Sequence, residues 1–285
     1  MRLPGPDPEL GDHELSDAAP RHFRPVSSDT RLPGQPRVIV ATGPNAMART
    51  AADFAVAAMA GAIGARGMAH VSLTGGSSAT GLYRELRTPE RLAAVDWSRV
   101  QLWFGDERLV PIEHPDSNAG LATRELLAPG GPVVTIHPML AGVDAAATDA
   151  GIVAAGLYAA ELAAQVPAVD GVPVFDLLLL GMGPDGHVLS VFPDSPALMA
   201  GMPTVVPIPA PTHILPAVPR LTLNPVVIGA ARAVLLIAGG AAKAPTVADV
   251  LGTVWDPRRL PAQLCDVATA TWLLDPDSAA LLIRS

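Results

Sequence analysis

Val174-Phe175-Asp176-Leu177-Leu178-Leu179-Leu180-Gly181-Met182-Gly183-Pro184-Asp185-Gly186-His187 passes from an apolar run of strand length straight into a turn with three glycines, a proline and a terminal imidazole. Three other stretches follow the same grammar. Ala69–Leu73 leads into Thr74-Gly75-Gly76-Ser77-Ser78, Val100–Phe104 into Gly105-Asp106-Glu107-Arg108, and Ala233–Ala238 into Gly239-Gly240-Ala241-Ala242-Lys243. In a parallel sheet with crossover helices every strand ends on one edge, and ligands bind in the crevice outside it. The four loops are therefore expected to converge. Together they would present an imidazole, cationic groups, a carboxylate and glycine-freed backbone amides, which suits a small anionic substrate.

The segments between these runs set the fold class. Val38–Ala41 reads as a short buried strand, Asn45–Ile63 as an Ala-rich helix, and Ala79–Leu86 as the helix after the first glycine loop. Ser117–Leu127 is a helix with Asp116 or Ser117 as its N-cap, and Ala145–Gln165 is a long helix. Pro203–Pro219 is proline-rich and reads as an extended connection. Alternation of this kind predicts an α/β fold: a mostly parallel, Rossmann-like sheet with helices on both faces. Residues 1–35, with six prolines among scattered charges, read as a disordered or loosely attached tail, and residues 36–285 as one domain.

Composition narrows the partners. With 285 residues, 49% of them hydrophobic, the chain can bury a large aliphatic core. A net charge of −8 argues against a nucleic-acid partner, which would demand basic patches. No apolar run of about 18 residues escapes polar or proline breaks, so no membrane span is expected. The single Cys265 cannot form an internal disulfide, and no Cys-rich metal spacing is present. These features fit a cytoplasmic chain, a monomer or weak homodimer, with no metal and no cofactor.

Each loop has a bland reading beside the functional one. Gly75-Gly76-Ser77-Ser78, between a strand and a helix start, has the chemistry of a phosphate cradle, and is equally an ordinary tight turn. It is not a Walker loop, since no Gly-Lys-Ser/Thr follows. Asp106-Glu107-Arg108 is well placed for substrate, or is a solvated loop with local ion pairs. His187 can serve as general acid or base, against the alternative of a capping histidine on a tight turn. His114 reads as a loop residue, and histidines 13, 22, 70, 137 and 213 as structural or exposed. Of 19 basic side chains only Lys243 is lysine. That bias marks a place where a point charge fits and a planar fork does not, or it is accidental. Arg220 is capable of clamping phosphate, though alone it reads as a surface residue.

In order and spacing, Leu73–Tyr83, Phe104–Gly120, Phe175–Phe192 and Pro219–Val250 resemble the four signature regions of 6-phosphogluconolactonases. The Val174–His187 stretch and Asp106-Glu107-Arg108 with His114-Pro115-Asp116-Ser117-Asn118 are the most specific. The resemblance runs from about residue 37 to the C-terminus. It implies a fold of the sugar-phosphate isomerase and deaminase type, and hydrolysis of 6-phospho-D-glucono-1,5-lactone in the oxidative pentose phosphate pathway. It further implies that His187 acts on the hydrolytic water and that Asp106 and Arg108 line the reactive end. Gly75, Gly76, Ser77, Ser78, Asp185, Gly186, Arg220 and Lys243 would bind substrate, the glycine loop, Arg220 and Lys243 at its phosphate. The chain departs from the family in three places. It has Ser77-Ser78-Ala79-Thr80 where many members carry a Thr-Pro pair and a lysine. Asn224 stands where threonine is common, and Val188-Leu189-Ser190 where a Thr-Ala-Ser run is usual.

A δ-lactone is a reactive ester, so no covalent nucleophile is required, and no Gly-x-Ser-x-Gly elbow occurs. One rival is a glucosamine-6-phosphate deaminase-isomerase, which would use a carboxylate base after the second strand. Arg108 and Val191-Phe192-Pro193-Asp194 favour the lactonase. The other rival is a non-catalytic sugar-phosphate-binding regulator, for which the tail offers no DNA-binding module.

Overall fold

A computed structural model describes residues 35–252 and 254–282. The tail expected over residues 1–35 lies outside the described residues, apart from Gln35. The strands in chain order are β1 (Arg37–Val40), β2 (Ala69–Leu73), β3 (Val100–Phe104), β4 (Asp106–Arg108), β5 (Thr135–Ile136) and β6 (Ala168–Val169). They continue with β7 (Val172–Pro173), β8 (Leu177–Gly181), β9 (Val205–Ile208), β10 (Arg220–Leu223), β11 (Val234–Ala238) and β12 (Ala270–Leu274). The helices are α1 (Pro44–Arg66), α2 (Gly76–Leu86), α3 (Pro89–Ala93), α4 (Asn118–Glu125), α5 (Ala150–Gln165), α6 (Val226–Ala230) and α7 (Ala244–Gly252).

Seven strands form the main sheet in the order β1-β12-β11-β8-β2-β3-β5, and every pairing in it is parallel. Every residue of β2, β11 and β12 is buried. Strands covered on both faces in this way are those of a parallel sheet flanked by helices, as the alternating sequence predicts. From β2 the chain winds outward to β3 and β5, then returns to the other side of β2 for β8, β11 and β12. The order therefore reverses between β2 and β8, and the loops after these two strands flank the crevice there.

α1 is long and apolar enough to cross a membrane by length and composition. Its buried residues Met47, Ala51, Ala52, Ala55, Met59 and Ala62 recur with helical period and join the core. It is a core helix with Arg49 and Asp53 in its middle.

Three elements differ from expectation. The proline-rich segment holds β9, and with β10 and β4 it forms a second, antiparallel sheet in the order β4-β10-β9. Pro207 is tolerated because β9 is an edge strand. α2 begins at Gly76 rather than Ala79, which puts Ser77 and Ser78 in the first helical turn. α5 begins at Ala150 rather than Ala145. Asp144 Oδ1 captures the Ala146 N–H (3.0 Å), a side-chain turn that competes with the helix.

β5 covers only part of β3, ending at the Leu102↔Ile136 pair. Beyond it the buried Tyr158 hydroxyl takes over. It accepts from Phe104 N–H (2.8 Å) and donates to Phe104 O (3.1 Å). Tyr158→Phe strands both backbone groups without a partner and should cost about 1–3 kcal/mol. Chemical denaturation measures it, and an unchanged midpoint would show that β3 needs no such cap.

Candidate active site

The Gly181–His187 turn closes on itself through Gly183 N–H to His187 O (2.9 Å) and Gly186 N–H to Gly183 O (3.1 Å). Thr246 Oγ1 donates to Pro184 O (2.5 Å) and fixes the turn to α7. A side chain at Gly183 would collide with the His187 ring and with Asp185 Oδ1, so the glycine leaves room for the imidazole. His187 Nδ1 lies 2.5 Å from Asp185 Oδ1. Burial works against the Asp185 charge, but hydrogen bonds from His187 and His213 outweigh it and hold its carboxyl well below the usual range. An ionised carboxylate only accepts, so His187 donates through Nδ1 and a neutral ring keeps Nε2 as a free acceptor. Asp185 thus orients the imidazole, a role that its sequence reading as a substrate-binding residue missed.

β4 and β10 carry the cations. Arg108 stands directly across from Arg220, and Asp106 across from Thr222. In an antiparallel ladder opposite residues project from the same face. Arg108 donates to Asp116 O (2.6 Å), and Arg220 to Pro216 O (3.0 Å). The Nε of each guanidinium is buried and meets no partner among the described residues. Burial, and secondarily the charge of Arg108, lowers the Arg220 pKa. The Arg220 guanidinium also lies over the Phe192 ring at 5.3 Å, and the same ring touches His187 with centroids 4.7 Å apart. Phe192 therefore joins the cationic face to the imidazole.

The two acidic residues of β4 are buried rather than solvated. Asp106 accepts from Asn118 Nδ2 (3.1 Å) and Ser190 Oγ (2.6 Å), and it makes no ion pair with Arg108. Glu107 accepts from the backbone N–H groups of Arg108, Asn118 and Ala119 and from Ser117 Oγ, at 2.7–3.1 Å. It thereby caps α4 beside Ser117, whose hydroxyl accepts from Gly120 N–H. Burial raises its pKa, and the three backbone donors oppose that shift. Ser190, absent from the sequence-derived set, is fully buried, takes the Asp106 oxygen and donates its N–H to Thr222 Oγ1 (3.2 Å). Its signal was that it alone matches the Thr-Ala-Ser run usual in the family, where Val188 and Leu189 depart from it.

Gly75, Gly76, Ser77 and Ser78 lead into α2, where unpaired N–H groups are available to an anion. The Asn118 side chain lies against Gly75, so the glycine loop abuts the Asp106 group. On its far side, Ser77 and Ser78 line a cavity of about 310 Å³ with Gly239, Gly240 and Asp275. Lys243 ends the short turn Ala241–Lys243 that leads into α7. Burial lowers its pKa and Asp275 opposes that shift, while its ammonium makes no hydrogen bond among the described residues. His114 is an exposed loop residue, and His70 and His137 are buried and structural. His213 is exposed but, unlike the sequence reading, belongs to the site: its Nε2 lies 2.8 Å from Asp185 Oδ2.

Residues 42–273 match the family described as glucosamine-6-phosphate isomerases/6-phosphogluconolactonase. A 6-phosphogluconolactonase of Streptomyces coelicolor is 38% identical over 257 residues, 88% of this chain and 96% of that protein. A human 6-phosphogluconolactonase is 38% identical over 246 residues, 83% of this chain and 88% of that protein. The solved structure of 6-phosphogluconolactonase from Trypanosoma brucei superposes with TM-score 0.76 at 27% identity, covering 88% of this chain and 100% of that one. A monomeric glucosamine-6-phosphate deaminase, at 18% identity and TM-score 0.66, shares the fold. An imidazole held by a carboxylate, two guanidiniums on one face and a match over most of its length agree: this chain belongs to the glucosamine-6-phosphate isomerase/6-phosphogluconolactonase family.

Proposed function

We propose that this chain is a 6-phosphogluconolactonase, hydrolysing 6-phospho-D-glucono-1,5-lactone to 6-phosphogluconate in the cytoplasmic pentose phosphate pathway. We take residues 36–285 as the unit that carries the chemistry. The observation that carries this reading is the His187 imidazole, its Nδ1 on Asp185 and its ring against Phe192, which the Arg220 guanidinium also contacts. His187 Nε2 takes a proton from water as the water oxygen attacks C1. Arg108 stabilises the tetrahedral oxyanion. As the bond from C1 to the ring oxygen breaks, the imidazolium returns the proton to that oxygen, and the new carboxylic acid ionises. Asp106, already held by Asn118 and Ser190, has lone pairs left to accept a sugar hydroxyl. Arg220, Lys243 and the amides of Gly75–Ser78 hold the phosphate and so position C1. Against the deaminase reading stand Arg108, placed to meet an oxyanion, and the Val191-Phe192-Pro193-Asp194 continuation after the His187 turn, which both favour the lactonase. The decisive assay adds the protein to freshly made 6-phosphogluconolactone and follows acid release above the spontaneous rate. No acceleration would sink the proposal.

Three outcomes are expected. His187→Ala should lower kcat about 10²- to 10⁴-fold, the usual share of general acid–base catalysis. Near-normal turnover would remove His187 from the mechanism. Lys243→Met should lower kcat/KM about 10- to 150-fold on the phosphorylated lactone, the worth of one charge-assisted hydrogen bond. Glucono-1,5-lactone, which has no phosphate, should show little change; equal losses on both would place Lys243 elsewhere. The third outcome concerns Asp185. Its folded pKa is depressed, so the charge contributes stability above about pH 4 that is lost as pH falls through the folded value. Unfolding free energy should fall less steeply between about pH 5 and pH 2 in Asp185→Asn than in the parent. Equal slopes would show that the two imidazoles do not hold the charge.

A further inference from the structure

We propose that His213 is a positioning residue for this hydrolysis, fixing the Asp185 carboxylate in the orientation that keeps His187 Nε2 free. The inference rests on the lactonase reading above. Asp185 offers one oxygen to each of two imidazoles, His187 Nδ1 at 2.5 Å and His213 Nε2 at 2.8 Å. Because the ionised carboxylate cannot donate, both rings donate to it. Held by one oxygen, a carboxylate can turn about its terminal torsion; held by both, from two separate segments, it cannot. The second segment is far away in sequence, since His213 lies 28 positions beyond Asp185.

His213 is kept in reach by Phe192. Their rings meet edge to face at 87° with centroids 5.7 Å apart, and Phe192 also contacts His187 at 4.7 Å. Two imidazoles therefore meet one carboxylate, and the Phe192 ring contacts both of them. Apart from His187 and His213, no other side chain donates to Asp185 among the described residues, so His213 alone holds Oδ2.

The test is steady-state kinetics on freshly made 6-phosphogluconolactone with His213→Ala and His213→Gln. His213→Ala should lower kcat about 2- to 10-fold, the lower part of the range for coupled neighbours. KM should stay within about 2-fold, since the residue does not meet the substrate. His213→Gln, whose amide N–H reaches the same oxygen, should recover most of kcat. In an Asp185→Ala background, His213→Ala should have no further effect. Unchanged kcat, no recovery with Gln, or additive losses would each overturn the proposal. Nitrogen-15 NMR of the imidazoles gives a second readout, independent of turnover. His187 should be protonated at Nδ1 in the parent and become a mixture of tautomers in His213→Ala. An unchanged tautomer refutes the proposal, whereas a parent protein that hydrolyses no lactone refutes the functional reading instead.

Discussion

Gly105 joins the two sheets, and the placement of the site depends on it. Its N–H donates to Leu73 O (3.1 Å), prolonging the parallel pairing of β2 and β3, while its carbonyl accepts from Leu223 N–H (2.8 Å) of the second sheet. One residue thus serves two ladders. A side chain there would push the Leu189 Cδ2 methyl aside and press on Ser72, so glycine suits the close approach. Because β4 starts at the very next residue, the small antiparallel sheet has to stand at the carboxyl edge of the large one. That puts Arg108 and Arg220 at the crevice where the strand order reverses, which is also where the His187 turn emerges.

The charges around this crevice are arranged so that its cations stay available. Asp106 and Glu107 are buried next to the arginines yet are satisfied by an amide, two hydroxyls and backbone N–H groups. Neither neutralises a guanidinium. The contrast is Asp176, just before β8, where one buried carboxylate takes ion pairs from both Arg66 (2.7 Å) and Arg232 (3.3 Å). A cation paired inside the protein has little left for a substrate. Among the described residues Arg108, Arg220 and Lys243 form no direct salt bridge, although Asp275 acts on Lys243 and Asp106 on Arg220 from further off. Partly desolvating them costs stability that the proposed phosphate and oxyanion would relieve.

Much of this was legible beforehand. The four apolar runs became β2, β3, β8 and β11, with boundaries shifted by at most a few residues, because buried parallel strands are apolar on both faces. The Gly181–His187 turn could be read directly, since glycine and proline encode backbone geometry locally. The second sheet could not. β4 is three residues of charge, and in β9 Pro207 interrupts the strand-forming Val205, Val206 and Ile208, so neither reads as a strand by itself. Both are strands only because β10 lies between them. Glu107 likewise read either as a substrate-side charge or as a solvated loop charge, and only the packing of α4 shows it buried under that helix's first N–H groups.

Sequence alone therefore determined the fold class and the family resemblance, because each is written in short contiguous patterns, and it singled out His187 as the candidate imidazole. Tertiary structure decided which groups work together. Ser190 reaches Asp106 across 84 positions, and His213 reaches Asp185 across 28. Arg108 meets Arg220 only through strand register. Such pairings leave no local signature, because they arise when long crossovers and a shared glycine bring separate loops to one edge. Hydrogen bonds act over about 3 Å, whatever the separation along the chain.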